Sequence, residues 1–73
     1  EEEINLSNVL LLNPKNDEAI YLLALIKIEQ SDYKKAKELI DKLVLVCKSY
    51  CVKKEEIELK LKKLTPENAK NNN

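Results

Sequence analysis

Residues 13–46, NPKNDEAIYLLALIKIEQSDYKKAKELIDKLVLV, decide the fold. Pro14 stops whatever helix precedes it, because the residue before a proline is pushed out of the helical region. Asn16 or Asp17 is a ready N-cap, and Glu18 puts negative charge where a helix dipole favours it. From Ala19 the run AIYLLALI is apolar on every side. A surface helix shows one apolar stripe, whereas a helix that is apolar all round is buried between neighbours. Gln30, Ser31 and Asp32 break the run, and Asp32 caps a second helix predicted from about Tyr33 to Cys47. On it, Ala36, Leu39, Ile40, Leu43, Cys47 and then Tyr50 share one side, while Lys34, Lys35, Lys37, Glu38, Asp41 and Lys42 take the other. Glu38 and Lys42 form an i,i+4 pair in the favourable order. The stretch therefore reads as helix, tight polar turn, helix.

The flanks extend this pattern. Before it, Ile4, Leu6, Val9 and Leu10 fit a helical stripe that Pro14 ends. After it, residues 48–52 are ambiguous: the second helix runs on, or it bends near Ser49. Residues 53–64 form a further predicted helix with Ile57, Leu61 and Leu64 apolar, Leu59 beside them, and Glu56–Lys60 and Glu58–Lys62 as favourable pairs. Its lysines alternate with acids, the mark of a solvated face. Thr65-Pro66-Glu67 offers another helix start, and residues 67–73 are a polar, Asn-rich tail.

Composition narrows what such a chain does. Seventy-three residues are at most one small domain, and a chain opening on Glu1 without any Met reads as a piece of something longer. Apolar residues make up 44% and charged residues 36%, the mix of a folded helical protein. The absence of Gly argues against tight hairpins and phosphate-cradling loops. Thirteen basic and 13 acidic side chains cancel. A neutral chain whose cations are all lysine lacks both the basic field and the planar guanidinium fork that suit nucleic acid. The apolar run is too short to span a bilayer, and no signal-peptide pattern opens the chain, so no membrane partner is expected and the default location is cytoplasmic.

Chemistry finds few footholds. There is no His, so no Ser, Thr or Cys has the usual base beside it. Acid pairs such as Asp17–Glu18 and Glu55–Glu56 fit helix caps and solvated faces. Cys47 and Cys51 supply about half of a zinc site and no more. On a continuous helix, i,i+4 cysteines are neighbours that do not readily close a disulfide, so they read as two small, partly buried residues in a reducing compartment. No catalytic residue, metal or cofactor is expected.

In order and spacing, these residues resemble a tetratricopeptide repeat, a helix–turn–helix unit of about 34 residues. Ile20, Leu23 and Ala24 fall where the first helix has large, Leu and small residues, with Lys27 at the aromatic position. Ala36 and Ile40 match the small-then-large pair of the second helix. Ser31-Asp32-Tyr33 resembles the usual Gly-Asp-Tyr turn, and Leu12-Asn13-Pro14-Lys15-Asn16 resembles the loop that closes a preceding repeat. Three departures stand out: Lys27 for the aromatic, Leu43 for a small residue, and Lys48 for the closing proline. The resemblance divides residues 1–66 into the end of one repeat (1–16), one repeat (17–50) and, by inference, a capping helix (53–64). Solenoids need such a cap because an end repeat otherwise exposes core. The implied fold class is an all-α, antiparallel helix-turn-helix solenoid fragment.

The resemblance implies a scaffold or co-chaperone-like module that binds a peptide or helix of another protein and packs against upstream repeats of its own chain. The face to consider is Glu18, Tyr21, Leu22, Leu25, Ile28 and Glu29. Glu18 and Leu22 stand where some members carry the basic residues that grip a chaperone's terminal carboxylate, so this repeat lacks that clamp and an apolar segment suits it better. Two other roles share the same sequence: a helical appendage of an enzyme such as a prolyl isomerase or phosphatase, and a self-associating helical bundle.

Overall fold

The computed structural model describes residues 2–64 and is all-helical over them, without strands among the described residues. Helix α1 spans Glu2–Leu12, α2 Asp17–Glu29, α3 Tyr33–Val46 and α4 Cys51–Leu64. Expectations for residues 65–73 lie outside the described residues.

Helix α2 is the hub: it packs against α1, α3 and α4, and α3 also packs on α4. Asn16 caps it, accepting from the Ala19 amide through Oδ1 at 3.0 Å. Ala19, Ile20, Leu23, Ala24 and Ile28 are buried; Tyr21, Leu22, Leu25, Ile26 and Lys27 are half-buried. Only Glu18 and Glu29 of this helix are exposed, as a helix with neighbours on several sides requires. The core joins Ile20, Ala24 and Ile28 to Ala36, Ile40 and Leu43 of α3 and to Ile57 and Leu61 of α4. Two alanines among larger side chains let the helices interdigitate.

The α2–α3 turn accounts for its sequence. Ser31 has φ 62°, in the left-handed region that glycine favours. The Ser31 amide donates to the Ile28 carbonyl and the Asp32 amide to the Lys27 carbonyl, both at 2.9 Å. That pair of bonds is a Schellman motif, which occupies carbonyls the helix end would leave unpaired. A serine there costs about 1–2 kcal/mol against the left-handed conformation. Asp32 then caps α3 by accepting from the Lys35 amide at 3.3 Å. On the wet face of α3 the ion pairs are Lys35–Glu38 and Lys37–Asp41 rather than the expected Glu38–Lys42.

Helix α1 has no buried residue. Of its expected stripe, Leu6 and Leu10 are half-buried and Leu10 touches the core, while Ile4 is exposed. A polar clasp fastens it: Glu3 accepts from Lys27 Nζ at 2.6 Å and from Gln30 Nε2 at 2.8 Å. Those two bonds, Lys27 first, hold the Glu3 carboxyl below its usual range. Lys27 thus makes an ion pair while its stem stays partly covered.

The chain departs most from expectation after α3. The helix does not run into Cys47: that residue is the C-cap, extended at φ −62° and ψ 147°. Its amide still donates to the Leu43 carbonyl at 2.9 Å, and then the chain turns. Helix α4 opens at Cys51, two residues before the predicted start.

Core position rather than hydrophobicity alone sets the energetic weight of each leucine. Leu43 is 0% exposed and Leu45 is 83% exposed on the same helix. Leu43→Ala is expected to lower unfolding free energy by about 2–5 kcal/mol, and Leu45→Ala to change it by less than about 0.5 kcal/mol, as read from urea melts followed by helicity.

Candidate functional site

The densest polar constellation lies where the end of α3, the start of α4 and the start of α2 meet. Asp17 is the first residue of α2. Its Oδ2 accepts three successive backbone amides, from Lys48 at 2.7 Å, Ser49 at 2.7 Å and Tyr50 at 2.9 Å. Consecutive amides converging on one anion form a nest, and the anion also sits at the positive end of α4. These bonds, that of Lys48 first, hold the Asp17 carboxyl below its ordinary range against the opposing effect of burial.

The nest needs an amide hydrogen at residue 48. A proline at residue 48 has no amide hydrogen and could not donate to Asp17. Lysine at that position supplies the donor.

Tyr50, the third donor, lays its ring against Tyr21 with centroids 5.4 Å apart and planes tilted by 43°. This tilted contact falls in the range where aromatic pairs attract. Burial raises the Tyr50 phenol above its ordinary value, and the Glu18 charge and hydrogen bonding add to the rise.

Cys47 and Cys51 close a disulfide across the same turn, their Cα atoms 5.2 Å apart. This corrects the reading of two reduced thiols. That reading rested on a continuous helix; because α3 ends at Val46 and Cys47 is extended, the two residues flank a bend instead of sharing a helical face. Cys47 is half-buried against the core and Cys51 is exposed.

The face named from the sequence is divided by the fold. Glu18 and Glu29 are exposed, Leu22 is half-buried, and Tyr21 and Leu25 are half-buried against the core. Ile28 is buried inside the core, so its side chain belongs to packing and not to an accessible surface. Glu18 and Tyr21 are drawn together by Tyr50, a residue that sequence reading placed only on a helical stripe. Asp17 was equally out of reach, since its partners lie 31 to 33 residues away. Helix α4 adds three apolar side chains that face water, Val52 at 75%, Leu59 at 55% and Leu64 at 45% exposure. Among the described residues no group of three or more His, Cys, Asp or Glu could hold a metal ion. No described helix is long and apolar enough to cross a membrane.

No protein-family model matches the chain, and no curated protein or solved structure does so either.

The nest makes stability depend on pH with a defined sign. A carboxylate whose folded pKa is depressed contributes fully above an ordinary aspartate value of about 3.9, and the contribution is lost as pH falls through the lower folded value. Asp17→Asn is therefore expected to be less stable than the parent at neutral pH, with the gap closing below about pH 4. Paired urea melts across that range check it. A gap that stays constant with pH would assign the loss to shape rather than charge.

Proposed function

We propose that the chain is a helical-repeat module that binds another protein, with α2 and α4 as successive first helices of a tetratricopeptide-type array. The observation that carries this reading is a recurrence in the backbone. Asp17, which opens α2, and Cys51, which opens α4, are 34 positions apart; so are Leu12 and Val46, which end α1 and α3. The hydrogen bonds around the loops recur at the same interval. Asn13 donates to the Val9 carbonyl at 2.8 Å as Cys47 does to that of Leu43 at 2.9 Å. Ile20 donates to the Asn16 carbonyl at 3.1 Å as Lys54 does to that of Tyr50 at 3.2 Å. Contact between α2 and α4, across the intervening α3, fits stacked first helices.

Side chains at equivalent positions support a cap at the α4 end. Ile20, Ala24 and Ile28 pack α2 into the core; the equivalents one interval later are Lys54, Glu58 and Lys62. Helix α4 keeps Ile57 and Leu61 for the face it buries and carries charge on the side where another second helix would pack. A terminal helix with a polar outer face is what ends a solenoid in water.

The recurrence extends the proposed partner face onto α4. Leu59 is the equivalent of Leu25, Glu56 of Leu22 and Val52 of Glu18. The proposed surface therefore runs from Glu18, Leu22 and Leu25 on α2 to Val52, Glu56 and Leu59 on α4. It is apolar along its line and acidic beside it, and so suits an amphipathic helix or extended segment that carries basic residues.

Leu25→Glu tests this reading in a crosslinking pull-down, with a photoreactive side chain in place of Leu59. The parent chain is expected to crosslink one defined partner, and Leu25→Glu to lose it by at least about tenfold while keeping its helicity. The same partner captured equally by both chains would sink the surface assignment.

A further inference from the structure

The structure holds a second feature with chemistry of its own, independent of any partner-binding face: the pair of sulfurs bridging the turn from α3 to α4. We propose that Cys47–Cys51 is a reversible thiol–disulfide exchange site, with Cys51 the sulfur that meets outside thiols and Cys47 the sulfur that resolves.

Three observations carry this. The first is that the two sulfurs are unequal. Cys51 is exposed and opens α4, whereas Cys47 is half-buried and packs against the core. Access decides which sulfur of a disulfide is attacked. A thiolate at Cys51 would also lie at the positive end of a helix, the setting that makes cysteines reactive.

The second is that the turn is held by more than the bond. Between the cysteines, the amides of Lys48, Ser49 and Tyr50 are all held by Asp17. Those bonds involve neither sulfur, so they can hold the two thiols near each other once the sulfurs separate. Backbone flanking them is also fixed, by the Cys47 amide on the Leu43 carbonyl and by the Lys53 and Lys54 amides on that of Tyr50. Opening the bridge therefore leaves the helices in place, and closing it needs no search for the partner sulfur.

The third is the size of the ring. Only three residues lie between the cysteines. Cross-links that close short loops constrain the unfolded chain least, so stability is a poor reason for this one. A buried structural cystine in a long loop would give the opposite pattern.

The exchange balances with a small thiol as the co-reactant. A thiolate RS⁻ attacks the Cys51 sulfur; the S–S bond breaks and Cys47 leaves as a thiolate, which takes a proton from water. Cys51 is then a mixed disulfide with R. A second RS⁻ attacks the R sulfur, RSSR departs, and Cys51 leaves as a thiolate. The two electrons given up by two RS⁻ now reside on the two protein sulfurs. In the reverse direction the Cys51 thiolate attacks RSSR and Cys47 displaces RS⁻.

The test uses the whole chain and glutathione. Oxidised protein is equilibrated in buffers of graded reduced-to-oxidised glutathione ratio, quenched with acid, alkylated and weighed by mass spectrometry, with helicity recorded on the same samples. The expected result is a reversible two-thiol transition at unchanged helicity. In Cys47→Ser, glutathione is expected to accumulate on Cys51. In Cys51→Ser, the remaining Cys47 is expected to react at least about tenfold more slowly. A disulfide absent at every ratio, a reduction that proceeds only with loss of helix, or Cys47 reacting as fast as Cys51 would each overturn the proposal.

Discussion

One carboxylate oxygen ties the beginning of this fold to its end. Asp17 Oδ2 gathers the amides of Lys48, Ser49 and Tyr50, and with them the direction in which the chain leaves α3. Hydrogen bonds to a charged group are worth about 1.5–3 kcal/mol each where water is excluded. Lys48 and Ser49 are exposed here, so water competes and the sum is smaller. The geometric consequence does not shrink with the energy. With the three amides committed to Asp17, α3 cannot continue, Tyr50 lies over Tyr21, and α4 starts where Ile57 and Leu61 reach the core. The disulfide spans the same turn.

The apolar framework was legible in the sequence because local rules and burial agree on it. The all-round apolar run from Ala19 becomes the hub, and Ala36, Ile40 and Leu43 bury the stripe that their spacing marked. Asp32 caps α3, and Asn16 settles the choice of cap for α2. Ser31 shows why its position resembles a glycine site, since its φ is positive. Helix α1 was the weaker case. Of its expected stripe, Leu6 and Leu10 are half-buried, yet Ile4 and Val9 are 64% and 37% exposed, because among the described residues only α2 packs substantially on it.

The site was less legible, for one physical reason. A side chain such as Asp17 serves as an ordinary first-turn acid in every local pattern, and nothing near it in sequence reveals a second role more than 30 residues away. The cysteines misled for the same reason. Spacing of four implies one helical face only if the helix is unbroken, and α3 ends at Val46, where Asp17 takes the amides that follow. Of the residues named for binding, Glu18, Leu22, Leu25 and Glu29 keep some exposure, Tyr21 is committed to Tyr50, and Ile28 belongs to the core. The proposed partner surface gains Val52 and Leu59 from α4 only once the 34-position recurrence of the backbone sets them beside α2.

The dependence of the α4 junction on Asp17 is best tested by amide hydrogen exchange resolved residue by residue in the oxidised chain. The amides of Lys48, Ser49 and Tyr50 are expected to be protected although they lie in a turn, and Asp17→Asn to release them together with the first turn of α4 while α2 and the middle of α3 stay protected. Open-chain exchange of these three amides in the parent protein, or unchanged protection in Asp17→Asn, would contradict the account.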